Sequence, residues 1–301
     1  SMAYSCLLLK RNNPNTQLIF YGNEAIVRLF ESLFRLPYDD YRIVNCTGEY
    51  TNWFYCWPKI ITYQEQNEPF IHIDTDVFMW KPMPQNLLLA PLVAQHRERD
   101  SNFYMEVYKQ IETDCIQLPR YLEDCNDGKY INSYNAGLFG GNDIEFFKSY
   151  LNEVSKFLDT NKKRFLQSDR KFLYNVVFEQ WLFYGLTQKK KKEVTTFYKD
   201  VITDFDMEKA RVPQQLLSLA ELDYMHVMEY KDNIRCNRFI AYQMQAEFQH
   251  EYERILSVCK NFGIKSEFYS SYTNDNIRDC NIFIRSKRLR EEYGFSNKDL
   301  E

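Results

Sequence analysis

Residues 70–82 read Phe-Ile-His-Ile-Asp-Thr-Asp-Val-Phe-Met-Trp-Lys-Pro, so that an apolar strand runs straight into two carboxylates, Asp74 and Asp76. Carboxylates are poorly tolerated in a core unless they are paired or bind a cation. Apolar residues on both faces of Phe70–Ile73 predict a strand covered on both sides, as in a central parallel strand of an open α/β sheet. Ligands of such sheets collect at the carboxyl ends of the strands, where this pair falls. A hard divalent ion, Mg²⁺ or Mn²⁺, prefers oxygen donors and can bridge protein carboxylates to a diphosphate. The bland alternative is a strand end with two turn-forming aspartates.

The flanking chain alternates strand and helix patterns, which suggests an α/β fold. Ala3–Lys10 reads as a helix, Leu18–Tyr21 as a strand closed by Gly22, Glu24–Phe34 as an amphipathic helix and Tyr41–Val44 as a strand. Pro58 marks a helix start continued by Lys59–Gln66. Further strands are expected at Leu92–Gln95 and Asn135–Phe139, and helices at Phe103–Ile111, Ile144–Leu158 and Lys171–Tyr184. Asn142 with Glu145 resembles a capping box. Val194–Tyr198 and Tyr224–Met228 read as late strands, and Asn237–Phe262 as one long amphipathic helix. The simplest organisation is one domain over residues 1–240 with a helical C-terminal extension over 241–301. The chain opens on a helix where a nucleotide-binding sheet normally opens on a strand, so the first strand is missing or the order differs.

Composition narrows the classes. With 301 residues, 45% of them hydrophobic, the chain can bury a sizeable core. A net charge of −4 argues against a dedicated nucleic-acid binder. The eight cysteines form no CxxC pair and match neither a zinc site nor a disulfide scaffold, which points to reduced thiols. No apolar run approaches the roughly 20 residues of a spanning helix. The expected location is therefore cytoplasmic. The Lys189–Lys192 run, read as a solvated loop, is the candidate for peripheral contact at the inner membrane face.

The apolar strand, Asp74-Thr75-Asp76 and the following Lys81-Pro82 resemble the DxD element of GT-A glycosyltransferases, in particular bacterial polysaccharide-type enzymes and the glycogenin-like group. Asn135-Ala136-Gly137-Leu138-Phe139 resembles the NAG strand of that group, and Tyr224–Lys231 resembles its late segment. Glu229 stands where the family usually has a glycine, and Lys231 lies five rather than six residues after His226. The resemblance covers roughly residues 18–232. It implies a single GT-A (Rossmann-like) domain with a mixed central sheet and Asp74, Asp76 and His226 as ligands of Mn²⁺ or Mg²⁺. Lys59, Asp74, Thr75, Ala136, Gly137 and Lys231 would then hold a nucleotide sugar, UDP-linked by preference. Asn135 would face the sugar, and Glu179 in Phe178-Glu179-Gln180-Trp181 would take the place of the family's Asp-Gln step. The acceptor expected is a saccharide or glycolipid, and the stereochemistry leans to retention.

Three other readings compete. A nucleotidyltransferase also joins an α/β sheet to metal-binding aspartates, but it usually carries a Gly-rich basic loop, and Lys10–Asn15 has no glycine. A metal-dependent phosphoesterase would be expected to cluster more ligands than four histidines allow. A non-catalytic carbohydrate-binding protein would use the 23 Tyr and 23 Phe as stacking faces, although core packing explains most single rings.

Overall fold

The computed structural model describes residues 2–46, 49–100, 102–123, 130–203, 224–227 and 234–261. Its strands are β1 (Ile19–Gly22), β2 (Asp40–Ile43), β3 (Phe70–Ile73), β4 (Val77–Met79), β5 (Val93–Ala94), β6 (Arg97–Asp100), β7 (Ile131–Tyr134), β8 (Leu138–Gly141), β9 (Thr195–Thr196), β10 (Val201–Thr203) and β11 (Tyr224–His226). They form several small sheets, and the class is mixed α/β. The described residues within Ser1–Ile43, Thr75–Met83 and Glu208–Glu301 make one compact unit, and those within Val44–Asp74 and Pro84–Met207 a second. Among the described residues no helix is long and apolar enough to cross a membrane.

In the first unit, helix Met2–Asn12 buries Tyr4 through Leu9 without a break. A helix apolar around its circumference is one covered on several sides. Tyr4 meets Phe78 of β4 at 5.5 Å between ring centroids, accepts a hydrogen bond from Trp80 Nε1 at 2.9 Å and donates to Glu247 at 2.8 Å. Strands β4 and β11 pair antiparallel, with Val77 opposite His226. The parallel pair β1–β2 lies over a smaller cluster, where Phe20 meets Phe30 at 4.8 Å. The helix expected over Glu24–Phe34 is capped by Asn23, whose side chain accepts from Ile26 N–H, and widens to a π-turn over Leu29–Leu33. The long helix expected over Asn237–Phe262 is two, Ile234–Glu247 and Gln249–Asn261. The break at Phe248 puts that ring 6.1 Å from Tyr4 and beneath Arg11. Both pieces keep a helical apolar stripe, so periodicity alone does not register a one-residue interruption.

The second unit contains two sheets, ordered β3-β8-β5-β9 and β10-β6-β7. The expectation of a central parallel strand at Phe70–Ile73 is corrected: β3 pairs antiparallel with β8, and its four residues are all half-buried. An apolar run encodes cover on both faces and carries no information about strand direction. The close spacing around β8 requires Gly140 and Gly141, since a Cβ would lie 2.1 Å from the Phe70 carbonyl oxygen at the first and 2.1 Å from that of Pro91 at the second. The strand expected over Asn135–Phe139 begins only at Leu138. Ahead of it the Asn135 side chain accepts the Gly137 N–H at 3.0 Å and bends the chain into a tight turn between β7 and β8.

Helix Ile144–Gln167 is capped by Asp143, not Asn142, because the Asn142 amide is directed to the Leu88 carbonyl. The helix expected over Lys171–Tyr184 divides into a 3₁₀ turn (Lys171–Tyr174), a π-turn (Val177–Trp181) and helix Leu182–Lys190. That last helix replaces half of the loop expected at Lys189–Lys192. Three of the four lysines there fold back on the protein: Lys189 lies over Tyr121, Lys190 bonds Ser149 and Lys192 pairs with Asp143 at 2.6 Å. The core of the unit is aromatic, centred on Phe139 and Phe183 at 4.4 Å.

Candidate functional site

Strand β3 ends at Ile73, residues 75 and 76 turn, and β4 starts at Val77. Asp74, Thr75 and Asp76 therefore form one tight turn, whose first backbone N–H donates to the Gly137 carbonyl at 2.9 Å. Asp76 is 3% exposed. Strand β11 lies alongside β4, with Val227 N–H donating to the Asp76 carbonyl at 3.1 Å. That register sets His226 Nε2 3.5 Å from Asp76 Oδ1. Asp76 and His226 thus offer a carboxylate and an imidazole side by side within the first unit, and Asp74 stands two residues before Asp76 in the same turn. Two carboxylates and an imidazole suit Mn²⁺, which tolerates nitrogen better than Mg²⁺ does, so the donor set fits the expected ion.

Asp74 carries a second set of contacts. Its Oδ1 lies 2.7 Å from Lys59 Nζ and 2.9 Å from His72 Nε2. The same ammonium lies 3.0 Å from Glu179 Oε1. Lys59 projects from helix Trp57–Gln64, and Glu179 from the π-turn Val177–Trp181. Burial works against the Lys59 charge, but Asp74 and Glu179 outweigh it and hold its pKa well above the usual lysine value. Burial pushes the Glu179 carboxyl upward, and Asp74 adds to this against the pull of Lys59. The sequence left Glu179 on either a donor-facing or an exposed surface; it is 3% exposed. Lys59 bridges two carboxylates.

Thr75 is half-buried in the turn, and Ala136 is buried. Asn135 is 7% exposed, its Oδ1 accepting from Gly137 and its Nδ2 donating to Glu98 Oε1 at 2.9 Å. Lys231 lies outside the described residues. Sequence reasoning missed the acid beneath Asn135. Glu98 sits in Arg97-Glu98-Arg99-Asp100, which reads as surface charge, yet it is 8% exposed. Burial pushes its pKa upward, but contacts from His96, Asn135 and Ser133 outweigh that and leave it below the usual glutamate value. The one available signal was the alternation of charge along a strand, which puts Glu98 on the face opposite Arg97 and Arg99. His72 was likewise read only as part of an apolar strand.

No curated protein matches the chain, and no solved structure does. A family model does match, over residues 1–258, and the chain belongs to that family, DUF6734, a family of unknown function.

Proposed function

We propose that this protein is a metal-dependent glycosyltransferase of GT-A type, which moves a sugar from a nucleoside diphosphate, UDP by preference, to a hydroxyl of a saccharide or glycolipid. The observation that carries the reading is the meeting of Asp76 with His226, because an imidazole 150 residues further along the sequence comes to the turn that already carries two carboxylates. On this reading Asp76, His226 and Asp74 hold Mn²⁺ or Mg²⁺, which when bound stabilises the negative charge that grows on the departing diphosphate. Asp74 is steadied by Lys59 and His72. On the same reading Glu179 and Asn135 would act on the donor-sugar side, Thr75, Ala136 and Gly137 would receive the nucleotide sugar, and Lys231, which lies outside the described residues, would hold the diphosphate. The bond from the anomeric carbon to the phosphate oxygen breaks with its electron pair leaving on the diphosphate. The acceptor oxygen bonds to that carbon and gives up its proton to the leaving group, with retention of configuration.

Calorimetric titration with UDP and with GDP, each with and without Mn²⁺, tests the proposal. Metal-dependent binding of one nucleotide is expected, and Asp76→Asn abolishes it without lowering the thermal midpoint by more than a few degrees. Binding that ignores both the metal and the substitution would refute it.

A further inference from the structure

Glu98 is the least expected side chain of the second unit. Strand pairing sets it opposite Ser133. Both of its carboxylate oxygens are engaged. Oε1 accepts from Asn135 Nδ2 at 2.9 Å and lies 3.3 Å from His96 Nε2, while Oε2 accepts from Ser133 Oγ at 3.0 Å and from Tyr104 OH at 3.2 Å. A buried carboxylate costs free energy to desolvate, and an apolar side chain would fill the same volume more cheaply. The charge must therefore specify something that packing cannot.

What it specifies is the orientation of Asn135. A carboxylate only accepts hydrogen bonds, so the Asn135 amide must present its NH₂ to Glu98 and its oxygen to the Gly137 N–H. The flipped amide would set oxygen against oxygen and NH₂ against N–H. Backbone bonds clamp the same residue, from Asn135 N–H to the His96 carbonyl at 3.0 Å and from Gln95 N–H to the Asn135 carbonyl at 3.1 Å. Gly137, fixed by that amide, accepts the Asp74 N–H at 2.9 Å. We infer that Glu98 is a positioning residue for the carboxylate turn: it fixes the Asn135 amide, Asn135 fixes Gly137, and Gly137 fixes the backbone of Asp74. What the turn binds rests on the function proposed above; that Glu98 holds it in place does not.

The test separates the two. Amide hydrogen exchange, resolved by residue, is measured on the wild type and on Asn135→Ala, Glu98→Ala and Glu98→Gln, and Mn²⁺ binding is measured on the same samples. Exchange at Gly137 and Asp74 should accelerate tenfold or more in Asn135→Ala and Glu98→Ala, with the amides of helix Ile144–Gln167 unchanged. Glu98→Gln keeps an acceptor for Asn135, and Ser133 and Tyr104 can turn to accept from its NH₂, so its exchange should stay within about threefold of wild type. If Glu98→Ala does not fold, Glu98→Met takes its place with the same expected acceleration, since it fills the volume without an acceptor and leaves Ser133 and Tyr104 bonded to each other at 2.8 Å, while Asn135→Ala tests the link from Asn135 to Asp74. Wild-type exchange at Asp74 in Asn135→Ala, or equal acceleration across the whole unit, would overturn the inference. Failure of the wild type to bind Mn²⁺ would sink the metal reading and leave the exchange result to decide the role of Glu98.

Discussion

Removing the ammonium of Lys59 tests whether it is a structural bridge. Its Nζ lies 2.7 Å from Asp74 and 3.0 Å from Glu179. At an effective dielectric of ~20, unit charges at those distances attract by about 6 kcal/mol each. Desolvation of the ammonium and of a 3%-exposed carboxylate takes most of that back. Breaking a buried pair by deleting one partner typically costs ~3–5 kcal/mol, because an uncompensated charge stays behind. Here the lower end applies, since 25% of the Lys59 side chain is in water and Glu179 can take up a proton once its cation is gone. Lys59→Met should therefore lose about 3 kcal/mol at neutral pH, and Glu179→Gln about 1–2 kcal/mol for its share of the bridge. The double variant should lose less than the sum of the two by ~1–2 kcal/mol, because each single change already removes the shared interaction. Urea unfolding of the four proteins gives the coupling directly, provided that the slope with denaturant stays constant. Losses that add to within ~0.5 kcal/mol would show that Lys59 and Glu179 do not act through each other, and the bridge would be an accident of proximity.

Gly140→Ala should destabilise by about 3 kcal/mol or more, because its methyl would lie 2.1 Å from the Phe70 carbonyl oxygen, a backbone atom that cannot move aside; thermal unfolding checks this, and a loss under ~0.5 kcal/mol would contradict it. Asp143→Ala removes both the cap on Phe146 N–H and the pairing with Lys192, and should cost ~1–2 kcal/mol at pH 7. Burial raises the Asp143 pKa, but Lys192 and the Phe146 N–H outweigh it and leave it depressed. The carboxylate thus contributes its stability above the unfolded value of about 3.9 and loses it as pH falls through the lower folded value. The gap between wild type and variant should accordingly shrink in acid, and a gap that stays constant from pH 7 to pH 3 would refute that role.

Some of this architecture was legible in the residues. The run of apolar side chains into Asp74 and Asp76 located the turn, and strand Tyr224–His226 followed from Tyr224–Met228. What composition and period could not carry was pairing. Phe70–Ile73 looks the same whether its neighbour runs parallel or antiparallel, and Gly140-Gly141 looks like the end of a strand until a backbone is found pressed against it on each side. Glu179 and Glu98 were opaque for a related reason. A carboxylate in a sequence looks solvated, and only the cations and amides that other segments bring, Lys59 for one and Asn135 for the other, make its burial tolerable. Asn135 itself was expected to face a sugar, and two of its hydrogen-bonding positions are spent inside the fold.

The pairing of β4 with β11 has a consequence for how the protein is made. Each strand is three residues long, yet together they join parts of the chain about 150 residues apart, as the positions of Asp76 and His226 require. A nascent chain displays both aspartates long before the imidazole has been synthesised, and it can fold the helices that follow β4 while the third donor is still missing. Such distant contacts form slowly, because the loop must close before anything rewards the closure. A cation held by all three groups would act as a clasp on that closure, binding only the finished molecule and drawing the population toward it by mass action. Resistance to unfolding should then rise with Mn²⁺ concentration in the whole chain, and a chain ending before Tyr224 should show no such rise.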